Sequence, residues 1–298
     1  MTILLLLIGL AAIALPGLRP ATLLRSDPRV FTRLAAASVG AGLISILIGL
    51  LLSVSVGLFH LEFGHQDTSA DHLAPEGAPG ALVAAVVLVV LGARTILLAS
   101  RSHRARRRTQ PDEWLGHHQP AAEHQLTVLP TSDLVAFSIA NRRGTTVVIS
   151  EGLRDRTDTG TLQLIIRHEL AHSRARDSRL LTLSRYLDVI GAIAPFAART
   201  SAAIRVAAER AADEEAAGSD PTPRSQLAAY LAQSSSTLAS CAPECDTYRA
   251  EQLIRPSSRE PVIVASAFAG LLAVGCLAIA AVAHATSDLS PYLALLAG

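Results

Sequence analysis

Residues 168–172 read His-Glu-Leu-Ala-His, and this stretch says more about the chain than any other. On a helix, residues i and i+4 lie on one face, about 6 Å apart along the axis. The imidazoles of His168 and His172 can therefore bind one Zn²⁺ at about 2.0–2.1 Å each. Glu169 follows the first histidine, where its carboxylate can reach a water molecule on the metal and take its proton. The spacing predicts a zinc site with a general base beside it.

The sequence around this motif favours a helix. By chance alone the motif would arise on the order of 1% of the time in a chain with this many His and Glu residues, so its context matters. Asp158 and Thr159 are suitable N-cap residues. The apolar positions that follow recur at helical spacing: Leu162, Ile165, Ile166 and Leu170. We therefore predict an amphipathic helix from Thr159 to Asp177.

A third metal ligand is expected downstream. The alanine-rich segment Ala202–Ala217 predicts a helix that ends at Gly218. Glu209 and Asp213 are four residues apart and share one face of it. Glu209 would complete a His₂Glu set, and Asp213 would accept the free ring N–H of a liganding histidine. Alternatively, the acidic residues of this helix form a solvated face without a metal.

Two segments resemble a known group of enzymes. "RHELAHSRARDS" (167–178) and "AERAADEEAA" (208–217) are similar to the active-site and third-ligand helices of membrane-embedded gluzincin peptidases. Both the BlaR/MecR type and the HtpX/Ste24 type carry this pattern. In both, an aspartate follows the active-site helix, and Asp177 matches it here. The resemblance implies one Zn²⁺ per chain. It also implies that Asp177 supports the metal site without binding the metal itself.

The composition indicates a membrane protein. Half of the residues are hydrophobic and only 17% are charged. Four apolar runs are near or above the roughly 17–20 residues that cross a hydrocarbon core. They are Thr2–Leu18, Leu34–Phe59, Ala81–Ser100 and Pro261–Ala285. We expect each of them to be a transmembrane helix.

Arginine placement predicts the orientation. The loop before the second run is basic, the loop His60–Gly80 contains no Lys or Arg, and the strongest basic run is Arg101–Arg108. The N-terminus would then be outside and residues 106–260 in the cytoplasm. Juxtamembrane arginines commonly contact anionic headgroups. With only Trp114 nearby and no nucleic-acid motif, no direct nucleic-acid binding is expected.

The cytoplasmic part begins with a β-rich region. We predict strands at Gln125–Leu129, Leu134–Ala140 and Thr145–Ser150, the last two joined by a turn at 141–144. An exposed strand edge could pair with an extended substrate, although a purely structural hairpin fits equally well. The apolar segment Leu180–Ala198 is interrupted by Arg185 and Asp188. We expect a buried or membrane-skimming helix there rather than a fifth span.

These expectations combine into a mostly α-helical, multi-pass membrane protein with an α+β, gluzincin-like zinc peptidase domain in the cytoplasm. Residues 1–105 would hold three transmembrane helices, 106–260 the zinc domain, and 261–298 the fourth helix with a short external tail. This layout resembles the BlaR/MecR type more than the HtpX/Ste24 type, which usually has two spans before the protease domain. Only about thirteen residues follow the fourth run, so no penicillin-binding sensor domain is expected.

The resemblance implies a substrate as well. It would be a cytosolic transcriptional repressor, similar to BlaI/MecI, or the peptidase itself during activation. An HtpX/Ste24-like quality-control protease would use the same residues on other substrates. A non-catalytic membrane sensor or scaffold with a chance motif is the third alternative. The expected partners are the lipid bilayer and a protein substrate, and a homo-oligomer is compatible with the sequence.

Overall fold

A computed structural model describes residues 2–18, 27–63, 77–108, 118–120, 124–141, 144–191, 194–234 and 243–255, together with 270, 280 and 283–284. The first helices are α1 (Thr2–Leu18), α2 (Pro28–Phe63) and α3 (Gly77–Arg108). Four strands follow: β1 (His118–Pro120), β2 (Gln125–Leu129), β3 (Ala136–Asn141) and β4 (Gly144–Ser150). The remaining helices are α4 (Glu151–Arg156), α5 (Thr159–Ala175), α6 (Asp177–Gly191), α7 (Pro195–Ala217), α8 (Pro221–Ser234) and α9 (Pro243–Ile254).

Among the described residues, two helices are long and apolar enough to cross a membrane. They are Pro28–Leu58 within α2 and Gly77–Arg101 within α3. Helices α2 and α3 contain the second and third predicted spans. The first predicted span coincides with α1, a shorter apolar helix. The fourth predicted span, 261–285, lies almost entirely outside the described residues. The structure thus supports a membrane protein with two candidate spans, and the orientation stays a prediction.

Helices α1 and α2 pack closely because small residues face each other. A Cβ on Gly9 would come within 2.7 Å of the carbonyl oxygen of Gly42, so the backbones approach there only without side chains. The Ser38 hydroxyl donates a hydrogen bond of 2.7 Å to the Ala12 carbonyl. These contacts fix the two apolar helices as a pair.

The strands form one sheet in the order β1-β2-β4-β3. The predicted hairpin is present: β3 and β4 are antiparallel, with Asn141 opposite Gly144. Strand β2 has the predicted bounds and runs parallel to β4, whereas β1 was not predicted. The β3 strand begins at Ala136, two residues later than predicted. The reason is that the Val135 N–H donates to the hydroxyl of Ser150. The same hydroxyl caps α4 by accepting from the Leu153 N–H.

Helix α5 confirms the helix predicted around the His-Glu-Leu-Ala-His motif. Asp158 is its N-cap, accepting a hydrogen bond of 3.0 Å from the Thr161 N–H. The helix ends at Ala175 rather than Asp177, because Arg176 adopts the left-handed conformation and α6 begins directly after it. Ile165 and Leu170 of α5 pack with Val147 and Ile149 of the central strand β4. The motif-bearing helix is therefore anchored on the sheet.

The segment Leu180–Ala198 forms parts of two helices. Most of it belongs to α6, and its end opens α7, which starts at Pro195 rather than at the predicted Ala202. The earlier start is stabilised by burial of Ala197 and Thr200 against neighbouring helices. Helices α6 and α7 pack against each other as a helical hairpin. Only Asp177, Ser184 and Leu187 of α6 are buried, and the expected buried or membrane-skimming helix stays a prediction.

The hairpin packs on the apolar helices. Leu187 of α6 and Ile204 of α7 share a buried cluster with Ile13 of α1 and with Phe31 and Val39 of α2. At the other end of α7, Ala216 packs with Leu164 of α5 and with Leu227 and Leu253 of α8 and α9. Helix α7 therefore connects the apolar helices to the domain that contains the motif.

Candidate metal centre

Three donor groups meet where α5 and α7 pack together. His168 and His172 lie on successive turns of α5, and Glu209 lies on α7. The two Nε2 atoms are 3.0 Å apart. The Glu209 oxygens lie 3.4 Å from His168 Nε2 and 3.6 Å from His172 Nε2. One ligand atom from each of the three residues lies within 4.8 Å of the other two, so a single ion could contact all of them.

The far side of each imidazole contacts a carboxylate. His168 Nδ1 lies 2.9 Å from Asp213 Oδ1, and His172 Nδ1 lies 2.8 Å from Asp177 Oδ2. When Nδ1–H donates to these oxygens, the ring orientation is fixed and Nε2 faces the centre. The structure thus places Asp213 behind His168 and Asp177 behind His172.

Sequence reasoning missed Arg249, which comes from α9. Its Nε and Nη2 atoms each lie 2.7 Å from an oxygen of Asp213, a two-pronged contact. Its Nη1 lies 3.1 Å from Asp246 and 3.4 Å from Glu209. The side chain is only 5% exposed, so the pairs are shielded from water. No local spacing signals this role, because Arg249 is 36 residues from Asp213 along the chain.

The electrostatics of the centre favour positive charge. Burial disfavours the imidazolium form, but hydrogen bonds to Asp213 and Glu209 outweigh it and raise the pKa of His168 to about 9. The pKa of His172 is likewise raised to about 10 against the effect of burial, through Asp177 and Glu209. Burial opposes ionisation of Glu209 too, yet the histidines and Arg249 hold the pKa of its carboxyl well below the usual range. A cation would compete here with protons for the same two imidazoles.

The residues present fit zinc. Two imidazole nitrogens and one carboxylate are the protein ligands of a common catalytic zinc arrangement, which leaves a fourth position for water or substrate. The two Nε2 atoms lie 3.0 Å apart and face the ionised carboxylate of Glu209. A divalent cation can offset both the repulsion between the two nitrogen lone pairs and the negative charge of the carboxylate. The carboxylates on both Nδ1 atoms are the supports that metal-bound histidines usually have.

Glu169 lies beside this centre. It is half-buried on α5, next to His168 in the chain. Burial lowers the pKa of His172, but the hydrogen bonds to Asp177 and Glu209 outweigh this effect. The negative charge of Glu169 raises the pKa of His172 further. Its carboxylate is thus close enough to the centre to influence a group there electrostatically.

The acidic residues of α7 do not form a uniform solvated face. Glu209 and Asp213 are buried, at 8% and 1% exposure. Glu214 accepts a hydrogen bond of 3.2 Å from Arg210, and Glu215 pairs with arginines of two other helices. Burial of the two acids nearest the histidines favours the metal interpretation over the solvated one.

Comparison with known proteins supports the same chemistry. A family model described as peptidase family M48 matches residues 114–241, which contain the three donor residues but less than half of the chain. The match supports a zinc metallopeptidase of the M48 type, and peptidases of this family depend on zinc. Together with the two apolar helices it suggests a membrane protein. No curated protein and no solved structure gave a match.

Proposed function

We propose that this chain is a membrane-embedded, zinc-dependent endopeptidase that binds one Zn²⁺ through His168, His172 and Glu209. The observation that carries the proposal is the convergence of these three donors, each histidine being held from behind by a carboxylate. The family match over residues 114–241 supports the hydrolase class. The catalytic domain would be residues 106–260, on the cytoplasmic side of the membrane.

The roles of the residues follow from their positions. A zinc ion at this set would supply Lewis acidity, which lowers the pKa of a coordinated water and polarises a carbonyl. Glu169 would take the proton from the attacking water and deliver it to the leaving amine. Asp213 and Asp177 would hold the two imidazoles in the tautomer that presents Nε2. Arg249 would keep Asp213 and Glu209 ionised despite their burial.

The proposed substrate is a cytosolic protein, a transcriptional repressor of the BlaI/MecI kind, cleaved in regulated signalling. This rests on the resemblance to the BlaR/MecR type and on the predicted layout of three spans before the zinc domain and one after it. An HtpX/Ste24-like quality-control protease is equally compatible with the family match. The two functions share the site and differ in what they cleave.

Substrate trapping would separate the two. A Glu169→Gln variant should bind substrate without cleaving it, because glutamine is nearly isosteric but cannot accept the proton. Proteins that crosslink to this variant in cells, but not to the matched His168→Ala/Glu169→Gln variant, would be identified by mass spectrometry. Enrichment of a DNA-binding repressor supports signalling, and enrichment of misfolded membrane proteins supports quality control. Equal recovery with both variants would contradict a zinc-dependent substrate site.

A further inference from the structure

Glu215, near the end of α7, is paired with arginines from two other helices. One carboxylate oxygen, Oε1, lies 3.3 Å from Nη1 of Arg174, at the end of α5. The other oxygen, Oε2, pairs with Nη2 of Arg29, in the first turn of α2. A single side chain thus joins three helices. We call these three residues, Arg29, Glu215 and Arg174, the carboxylate bridge.

The helices that the bridge joins are those that carry the metal donors and an apolar helix. Arg174 is two residues beyond His172, and Glu215 is six residues beyond Glu209. At 1.5 Å per residue, these ion pairs lie about 3 Å and about 9 Å along their helices from the donors. Arg29 begins the helix that contains the candidate span Pro28–Leu58. The bridge is therefore close to the metal donors of α5 and α7, and Arg29 connects it to the apolar helix α2.

Helix α7 is fixed to the apolar helices at a second place, on the other side of Glu209. The Thr200 hydroxyl donates a hydrogen bond of 2.8 Å to the Ile13 carbonyl of α1. A Cβ on Gly17 would come within 2.9 Å of the Thr200 backbone nitrogen, so the two backbones are nearly in contact. Glu209 lies between Thr200 and Glu215 on one unbroken helix. Its position relative to the histidines consequently depends on both attachments.

We propose that Glu215 is a positioning residue that sets the spacing of α5 and α7 at the metal centre, and that Arg29 makes this spacing depend on α2. A displacement of the apolar helices would then change how well Glu209 and the two histidines hold a metal. The inference deepens the proposed function, on which it rests, by naming a route for its regulation.

The test compares zinc release and proteolysis in the purified full-length chain. Zinc release to a chromogenic chelator reports on the centre without requiring catalysis, and fluorescein-labelled casein serves as an unstructured protein substrate. The variants are Arg29→Gln, Glu215→Gln and the conservative Arg29→Lys. The matched control is Arg205→Gln. Arg205 lies on α7, as Glu215 does, and its ion pair of 2.6 Å with Asp188 also joins two helices.

We expect Arg29→Gln to release zinc roughly two- to fivefold faster than the wild type, the size of a partly exposed ion pair, with kcat lowered and KM unchanged. Glu215→Gln should have a larger effect because it removes both pairs. Arg29→Lys should restore most of the wild-type rate, and Arg205→Gln should match the wild type. Wild-type zinc release by Arg29→Gln, or an equal acceleration by Arg205→Gln, would overturn the proposal.

Ionic strength gives a second measurement that does not depend on the yield of folded variants. Raising salt from about 0.05 M to about 1 M shortens the screening length from more than 10 Å to about 3 Å and should accelerate zinc release from the wild type. A rate independent of salt would also contradict the proposal. Failure of the proposed function has a different signature: a wild-type chain that binds no zinc, or that holds zinc and cleaves nothing.

Discussion

Asp213 contacts two side chains, and each contact has a different role. It accepts from His168, which orients the ring, and it receives both prongs of Arg249, which offset the cost of burying its charge. Burial alone would raise the pKa of the Asp213 carboxyl, but Arg249 and His168 keep it lowered. At the scale of single residues, Arg249 of α9 contacts Asp213, and Asp213 contacts the donor residue His168.

Removing either metal-facing imidazole should empty the site. His168→Ala or His172→Ala leaves two protein ligands, which bind zinc poorly, so we expect the zinc content to fall from about one per chain to near zero. Metal analysis of purified protein after dialysis would measure it. His124→Ala is the control, since His124 lies outside the donor set. Full zinc content in both site variants would mean that the metal binds elsewhere.

Arg249→Ala should destabilise the fold as well as the site. It leaves Asp213, Glu209 and Asp246 without their shared cation, and breaking a buried ion pair costs about 3–5 kcal/mol. Chemical denaturation would report the free energy of unfolding. Arg205→Ala, which removes an exposed pair, should cost about 1 kcal/mol or less. Equal losses in the two variants would show that Arg249 has no special part in the centre.

At the scale of elements, Ser150 links a strand to a helix. Its hydroxyl accepts from the Val135 and Leu153 N–H groups and donates to the Asp133 carbonyl, so it ends β4, positions β3 and caps α4. We predict that Ser150→Ala lowers the free energy of unfolding by about 1–2 kcal/mol, while zinc content is unchanged. Ser132→Ala, an exposed serine of the preceding loop, should stay within about 0.5 kcal/mol of the wild type. A neutral Ser150→Ala would contradict the linking role.

The elements that the sequence predicted are those with local signals. The apolar stripe and the Asp158 cap define α5, and the β-branched run after residue 144 defines β4. Glu209 was found because acidic residues spaced by four mark one face of a helix. Arg249 and the contact between Thr200 and Ile13, 187 residues apart, have no local signal. They depend on which helices pack together, and periodicity does not encode that.

At the scale of the whole molecule, the candidate metal centre and the cluster of apolar helices share α7. Loop charges predict that Gly144 lies in the cytoplasm, and that Gln66 and Ser290, both outside the described residues, face the exterior. In a background without native cysteines, a membrane-impermeant thiol reagent should label Gln66→Cys and Ser290→Cys in intact cells and spare Gly144→Cys. Lysed cells provide the control for reactivity. Labelling of Gly144→Cys in intact cells would exclude a cytosolic repressor as substrate.

Proteolysis by the purified full-length chain, compared between the wild type and Glu169→Gln at equal zinc content, tests most directly whether the chain is a zinc peptidase. Glutamine leaves the three donors in place, so zinc should remain at about one per chain. Cleavage of labelled casein should fall by about 10²–10⁴-fold, the usual contribution of a general base. Undiminished cleavage by Glu169→Gln, in an assay that His168→Ala abolishes, would contradict the role of Glu169 and the mechanism built on it.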